Sequence, residues 1–154
     1  MKGMITEVEA YIGPEDKASH ASRGKTKRTE VMFGKPGYWY VYMIYGMYYC
    51  LNIVTEQAGY PAAVLIRSVR LLPFRYGRQN MVVNGPGKVC RYFKADKRFN
   101  KLPANLKTGL WMENRGVKIN PRRIKRGKRI GVDYAGKWKN KPWRFYLLGY
   151  SASK

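Results

Sequence analysis

The first strand-like segment of the chain, M-I-T-E-V-E-A-Y-I (residues 4–12), carries the residues best typed for acid–base chemistry. Period-2 alternation places Glu7, Glu9 and Tyr11 on one face, with Thr6, Val8, Ala10 and Ile12 on the other. A carboxylate beside an aromatic wall loses hydration, which raises its pKa and suits it to taking a proton from water. Alternation does not say which face is buried, so a solvated edge-strand carboxylate is the plainer reading of Glu9. The chain has only 9 Asp and Glu residues, so a general base has few candidates. Arg67 interrupts an apolar run, A-A-V-L-I-R-S-V (62–69). A buried arginine needs an anion, and Glu9 is eligible. His20, the one histidine, is more often a structural hydrogen-bonder than a catalyst.

A second constellation is aromatic. Six of the 13 tyrosines fall between positions 38 and 49. Aromatic cross-strand pairs stabilise hairpins without any further role. Tyr45 differs, because it stands beside Gly46 where a turn is expected and is poorly placed to join a core. The third constellation is charge. The chain carries 31 Lys and Arg, for a net charge of +22. Such a field self-repels unless something anionic neutralises it, so a polyanion is the expected partner. Aromatic faces within a positive surface are what nucleic-acid binders use to stack or wedge bases. The densest basic run, R-R-I-K-R-G-K-R (122–129), holds six cations in eight residues. It reads as a solvated loop whose Arg122, Arg123, Lys125, Arg126, Lys128 and Arg129 contact phosphate without sequence preference.

The elements that must position these residues follow from turn and pattern signals. At 154 residues the chain suits one domain, 1–154. Gly13-Pro14 ends the first strand, and residues 14–37 read as a long loop with short helical turns, of the kind that is usually functional. Tyr38 to Val54 reads as two strands joined around Tyr45–Met47. Ala62 to Leu72 is a further strand, and Gly85-Pro86-Gly87 opens a short helix, Lys88 to Phe93. Residues 94–129 are polar and very basic. Ile130-Gly131-Val132 and Trp143 to Leu148 read as closing strands. The mixture predicts an α+β fold on a mixed or antiparallel sheet with short helices and a protruding tyrosine-rich hairpin.

Two cysteines, Cys50 and Cys90, are too few for a disulfide framework, and a single His offers no His-rich metal cage. No metal or cofactor is expected. No long apolar stretch follows Lys2, so no signal peptide is read, and the apolar run Ala62–Ile66 is too short to span a bilayer. A reducing, nucleic-acid-containing compartment is the expectation.

The stretch E-V-E-A-Y-I-G-P-E-D-K-A-S-H-A-S-R-G-K-T-K-R (7–28) resembles the active-site segment of the alkyladenine (3-methyladenine) DNA glycosylases, the bacterial branch in particular. The likeness continues through 32–54, V-L-I-R-S (64–68), N-G-P-G-K-V-C (84–90), R-I-G-V (129–132) and P-W-R-F-Y-L (142–147). The resemblance implies a monofunctional, monomeric enzyme that flips damaged purines out of double-stranded DNA and hydrolyses the N-glycosidic bond. It implies that Glu9 is the general base and that Arg67 helps hold the hydrolytic water. Tyr11, His20 and Tyr42 would enclose the flipped base, Asn52 would exclude the exocyclic amine of guanine, and Tyr45 would fill the gap left in the duplex. The family fold in turn resembles the C-terminal domain of methionyl-tRNA formyltransferase, so a non-catalytic nucleic-acid-binding module is the alternative. Relative to the family pattern the chain starts almost directly on the Glu9 strand and stops near Ser151. An uncovered sheet edge, or one covered by a partner chain, is therefore expected. Thr29 stands where the family has Asn.

Overall fold

The computed structural model describes residues 1–72 and 81–150. Seven strands, β1 (Gly3–Ile12), β2 (Trp39–Ile44), β3 (Tyr48–Val54), β4 (Ala62–Leu71), β5 (Val82–Asn84), β6 (Ile124–Gly127) and β7 (Arg144–Leu147), form one sheet. The order is β2-β3-β4-β1-β7-β6, with β5 paired to β4, and every pairing among the described residues is antiparallel. The single α-helix among them, α1 (Pro86–Phe93), starts with Pro in its first turn, where the missing N–H costs nothing.

Trp39 and Val41 of β2 join Leu51, Ile66, Val69 and Leu71 against Val89 and Cys90 of α1. Tyr40, one residue out of phase, packs on the opposite side with Ala21, Met32, Val54 and Ala63. Covering both faces explains β4, whose burial does not simply alternate: Arg67 and Arg70 are half-buried in a run whose remaining residues are nearly all buried. In β1 the register slips on both sides of Glu7, and this irregularity leaves Thr6 and Glu7 buried in succession. β1 lies between β4 and β7, and the sheet edges are β2 and β6.

The long segment after β1 is held by short 3₁₀ turns, His20–Arg23 and Glu30–Phe33. Ser19 Oγ caps the first by accepting the Ala21 N–H. Thr29 is buried and locally satisfied, donating to the Gly24 carbonyl at 2.9 Å and accepting the Thr26 N–H at 2.9 Å.

Three expectations are corrected in the basic region and just after it. Residues 124–127 form the edge strand β6 rather than a loop, because they pair with β7 from Ile124↔Leu147 to Gly127↔Arg144. Arg129 is no surface phosphate ligand. It is 4% exposed and makes a two-pronged pair with Asp16, Nη2 lying 2.8 Å from Oδ1. Its Nη1 also donates to the Ala10 carbonyl at 2.9 Å. Ile130–Val132, expected as a strand, belongs to none: Gly131 has φ +74°, and the chain turns there into the 3₁₀ segment Asp133–Asn140.

Because Asp16 and Arg129 are both buried, removing one partner strands a charge in the interior. Asp16→Ala is therefore expected to lower unfolding free energy by about 3–5 kcal/mol, measured by urea or guanidinium denaturation. A loss below 1 kcal/mol would show that the pair is solvated.

Candidate active site

Glu9 sits mid-strand in β1, opposite Leu65 of β4 and Arg144 of β7, and its side chain is fully buried. Burial of this kind is tolerated only with compensating donors. Tyr11 Oη donates to Glu9 Oε2 at 2.9 Å, the main-chain N–H of Ile130 donates to Oε1 at 2.8 Å, and Arg67 Nε lies 3.4 Å from Oε1. The shared face of Glu9 and Tyr11 and the partnership of Glu9 with Arg67 both match the sequence reading. The solvated edge-strand alternative does not hold.

Desolvation raises the Glu9 pKa above the ordinary carboxylate range, and the Glu7 charge adds to it. Arg67, the Ile130 amide and the Tyr11 hydroxyl oppose that rise. Burial next to this carboxylate pushes the Tyr11 phenol far up, so it remains a donor. Glu7 was not singled out in the sequence, yet it shares the cluster. Its Oε1 accepts from Arg67 Nε and from Arg144 Nη1, each at 3.2 Å. The alternation of β1 was the available signal, since it already placed Glu7 on the Glu9 face.

In front of this cluster opens a cavity of about 420 Å³, lined by Tyr11, His20, Tyr42, Tyr45, Asn52 and Arg67 among others. The structure thus brings these six predicted residues to one place. Glu9 itself stands behind the lining, reached past Tyr11, Arg67 and Ile130, all of which face the cavity.

His20 Nδ1 is 2.8 Å from Tyr40 Oη, and its ring meets Tyr42 edge-on with centroids 4.6 Å apart. Burial, followed by the nearby Arg28 and Arg23 charges, lowers its pKa to about 4, so the ring is neutral at physiological pH. Burial likewise keeps Tyr42 protonated. Arg28, also missed in the sequence, lies over the Tyr42 ring at 5.1 Å. Asn52 is buried, and its Nδ2 donates to the Tyr40 carbonyl at 3.0 Å and the Cys50 carbonyl at 3.4 Å, which fixes the amide.

Tyr45 is 86% exposed at the turn between β2 and β3. It has φ +51° and Gly46 has φ +68°. Glycine takes that conformation freely, whereas a bulky residue pays for it. Met43 and Met47 are exposed beside it and make the tip apolar. A second, more basic cleft of about 950 Å³ shares His20, Arg28 and Tyr134 with the first cavity, and Lys17, Arg23 and Lys137 line it. Arg122, Arg123, Lys125, Arg126 and Lys128 are exposed around β6, at the sheet edge opposite the hairpin. Among the described residues no group of three or more His, Cys, Asp or Glu is placed to hold a metal ion, and no helix is long and apolar enough to cross a membrane.

Comparison with known proteins agrees on one family. The family model described as methylpurine-DNA glycosylase matches residues 1–151. A protein of Ehrlichia chaffeensis named as a 3-methyladenine DNA glycosylase is 49% identical over 146 residues, covering 95% of this chain and 77% of its own length. Proteins of the same designation from Methanocella arvoryzae and Rickettsia felis are 46% and 44% identical, covering 92% and 94% of this chain and 74% and 76% of their own lengths. With a match from end to end of the described strands, and with relatives this similar over most of both chains, the chain belongs to the methylpurine-DNA glycosylase family.

Proposed function

We propose that this protein is a monomeric base-excision-repair glycosylase that turns an alkylated or deaminated purine out of duplex DNA and hydrolyses its N-glycosidic bond, leaving an abasic site. The observation that carries the reading is the buried carboxylate of Glu9, set directly behind an aromatic cavity whose rim includes the exposed Tyr45. A pure nucleic-acid binder gains nothing from keeping a desolvated carboxylate there. The same reading takes the chain as one α+β domain of the formyltransferase C-terminal type. The antiparallel sheet and short α1 support it.

A base inside a duplex is out of reach, so the nucleotide must rotate out at a cost of a few kcal/mol. Tyr45, held outward by its turn, offsets that cost by stacking in the vacated space. Tyr11, His20 and Tyr42 enclose the extruded base, and an electron-poor damaged purine stacks well on neutral aromatic rings. Asn52 cannot swing aside, because its amide is tied to two carbonyls, so it meets an exocyclic amine as a fixed obstacle. The basic cleft beside the cavity suits the phosphates of the same strand, and the exposed cations around β6 suit phosphates farther away.

For the chemical step, a carboxylate offers about four acceptor positions, and the Tyr11 hydroxyl and the Ile130 amide fill two of them, which leaves room for a water proton. As water's oxygen bonds to C1′, its proton passes to Glu9 and the C1′–N electrons leave with the base. The carboxylate also steadies positive charge building on the sugar. Arg67, shared by Glu7 and Glu9, opposes the neutralisation of Glu9 and orients it. No amine nucleophile takes part, so the strand itself stays intact.

Glu9→Gln keeps the size of the side chain and removes its basicity. Base release from duplexes carrying 3-methyladenine or hypoxanthine is expected to fall by about 10²–10⁴-fold, with DNA affinity nearly unchanged. Near wild-type excision by that variant would overturn the assignment.

The raised pKa of Glu9 sets the pH dependence, because only the ionised form accepts a proton. The acid limb of kcat/KM is expected above the ordinary carboxylate range, with activity lost as pH falls through it. A limb near pH 4 or below would contradict this role for Glu9.

Tyr45→Ser should cut excision from well-paired duplexes by roughly 5- to 150-fold, the equivalent of about 1–3 kcal/mol of stacking. The loss should shrink opposite a mispaired partner, since such a base flips more easily. The melting temperature should hold, given the exposure of the side chain. Equal losses on both substrates in single-turnover assays would count against the wedge.

A further inference from the structure

We infer that Arg129 is a positioning residue for the proposed general base, acting through the main-chain amide of its neighbour Ile130 and through the ring of Tyr11. The inference rests on the assignment of Glu9 as the base.

The two hydrogen-bond donors to Glu9, the Tyr11 hydroxyl and the Ile130 amide, are placed by the Arg129 guanidinium. Ile130 is the next residue in the chain, and its N–H reaches Oε1 at 2.8 Å. Lys128 to Val132 belong to no strand or helix, so no ladder of backbone hydrogen bonds sets the height of that amide. The Arg129 side chain sets it instead, by gripping four separate parts of the fold. Nη1 and Nη2 close on the Asp16 carboxylate, Nη1 also donates to the Ala10 carbonyl at 2.9 Å, and Nη2 donates to the Trp138 carbonyl at 3.2 Å. Its plane is stacked by Tyr11 at 4.8 Å and Trp143 at 5.0 Å. Ala10 lies between Glu9 and Tyr11 in β1. One planar cation therefore references the amide, the phenol ring and the strand carrying the carboxylate to a common point. Guanidinium supplies this; a lysine ammonium has no plane to stack and no fork for bidentate contact.

The other groups facing Glu9 are independent of Arg129. Arg67 and Cys50 come from β4 and β3, Glu7 from its own strand, and Arg144, across from Glu9 in β7, reaches Glu7. Loss of the Arg129 grip should thus remove donors from the ionised form of Glu9 while leaving its desolvation and the Arg67 charge in place. Fewer donors to the charged form mean a higher pKa.

Two variants test this in the full chain. Arg129→Lys retains a cation for Asp16. Asp16→Asn with Arg129→Met removes both charges, so no unpaired ion is left in the interior. For each, kcat/KM on a hypoxanthine-containing duplex is measured against pH, together with hydrogen exchange at the Ile130 amide, the melting temperature and affinity for a duplex bearing a stable abasic-site analogue. The expected result is an acid limb moved up by about one to two pH units, excision largely restored on raising the pH, faster exchange at Ile130 and unchanged affinity. An unmoved limb, a loss of activity equal at all pH values, or an Ile130 amide still protected would each overturn the inference, whatever the change in melting temperature. Glu9→Gln run in parallel separates the two readings. If that variant excises normally, the base assignment fails; if it is inactive and the limb stays put in the Arg129 variants, only the positioning role fails.

Discussion

Keeping a carboxylate ionisable inside a dry sheet is the constraint on which the site depends. Glu9 has no exposed surface, and each of its partners arrives from a different place in the chain: Tyr11 from β1, Arg67 from β4, Ile130 from the segment after β6. Desolvating such a group without partners would neutralise it. Strand order answers this by setting β1 between β4 and β7, which brings Arg67 and Arg144 together on Glu7 and leaves Arg67 within reach of Glu9. Glu7 completes the cluster, so two carboxylates meet two guanidinium groups within one stretch of sheet.

The scarcity of acid residues has a consequence for the rest of the molecule. Glu7, Glu9 and Asp16 are buried against arginine, and Glu30, Asp96 and Glu113 each pair with a cation nearer the surface. Exposed pairs of that sort contribute little to stability. Their effect is on the field: with most carboxylates committed locally, the excess of 31 cations over 9 anions is left to the outside. Lys17, Arg23 and Lys137 in the cleft, and the cations around β6, belong to that excess. A surface of this kind attracts a phosphate backbone over a distance set by salt, without selecting a sequence.

Stability is given up where the cavity meets solvent. The turn between β2 and β3 holds Tyr45 in a left-handed conformation and leaves Met43 and Met47 exposed beside it. Such a conformation persists for a bulky residue only when the flanking strands dictate it, and strain of this kind concentrates at functional sites. Inside the cavity the polarity is reversed. His20, beside two arginines and largely buried, is kept neutral, so the rings that line the cavity present aromatic faces rather than charge. Two cations also reach the lining: Arg67 beside Glu9, and Arg28 over the Tyr42 ring at the boundary with the basic cleft.

Local rules were enough to place Glu9 and Tyr11 on one face, because neighbours two apart in a strand share a face whatever the strand packs against. They were enough for the Tyr45–Gly46 turn, where glycine tolerates the required dihedrals, and for α1, opened by Gly85 and Pro86. They did not reveal that β1 would be covered on both sides, since alternation carries no record of what lies across the sheet. Arg129 shows the reason most plainly. In the sequence it is one of six cations in a row of eight, and a guanidinium destined for phosphate reads the same as one destined for a carboxylate. Its partner, Asp16, is 113 residues away, and the Ile130 amide that reaches Glu9 is 121 residues from it. Only folding sets those distances, because main-chain donors are alike at every residue and take on a role only from the place to which the tertiary structure brings them.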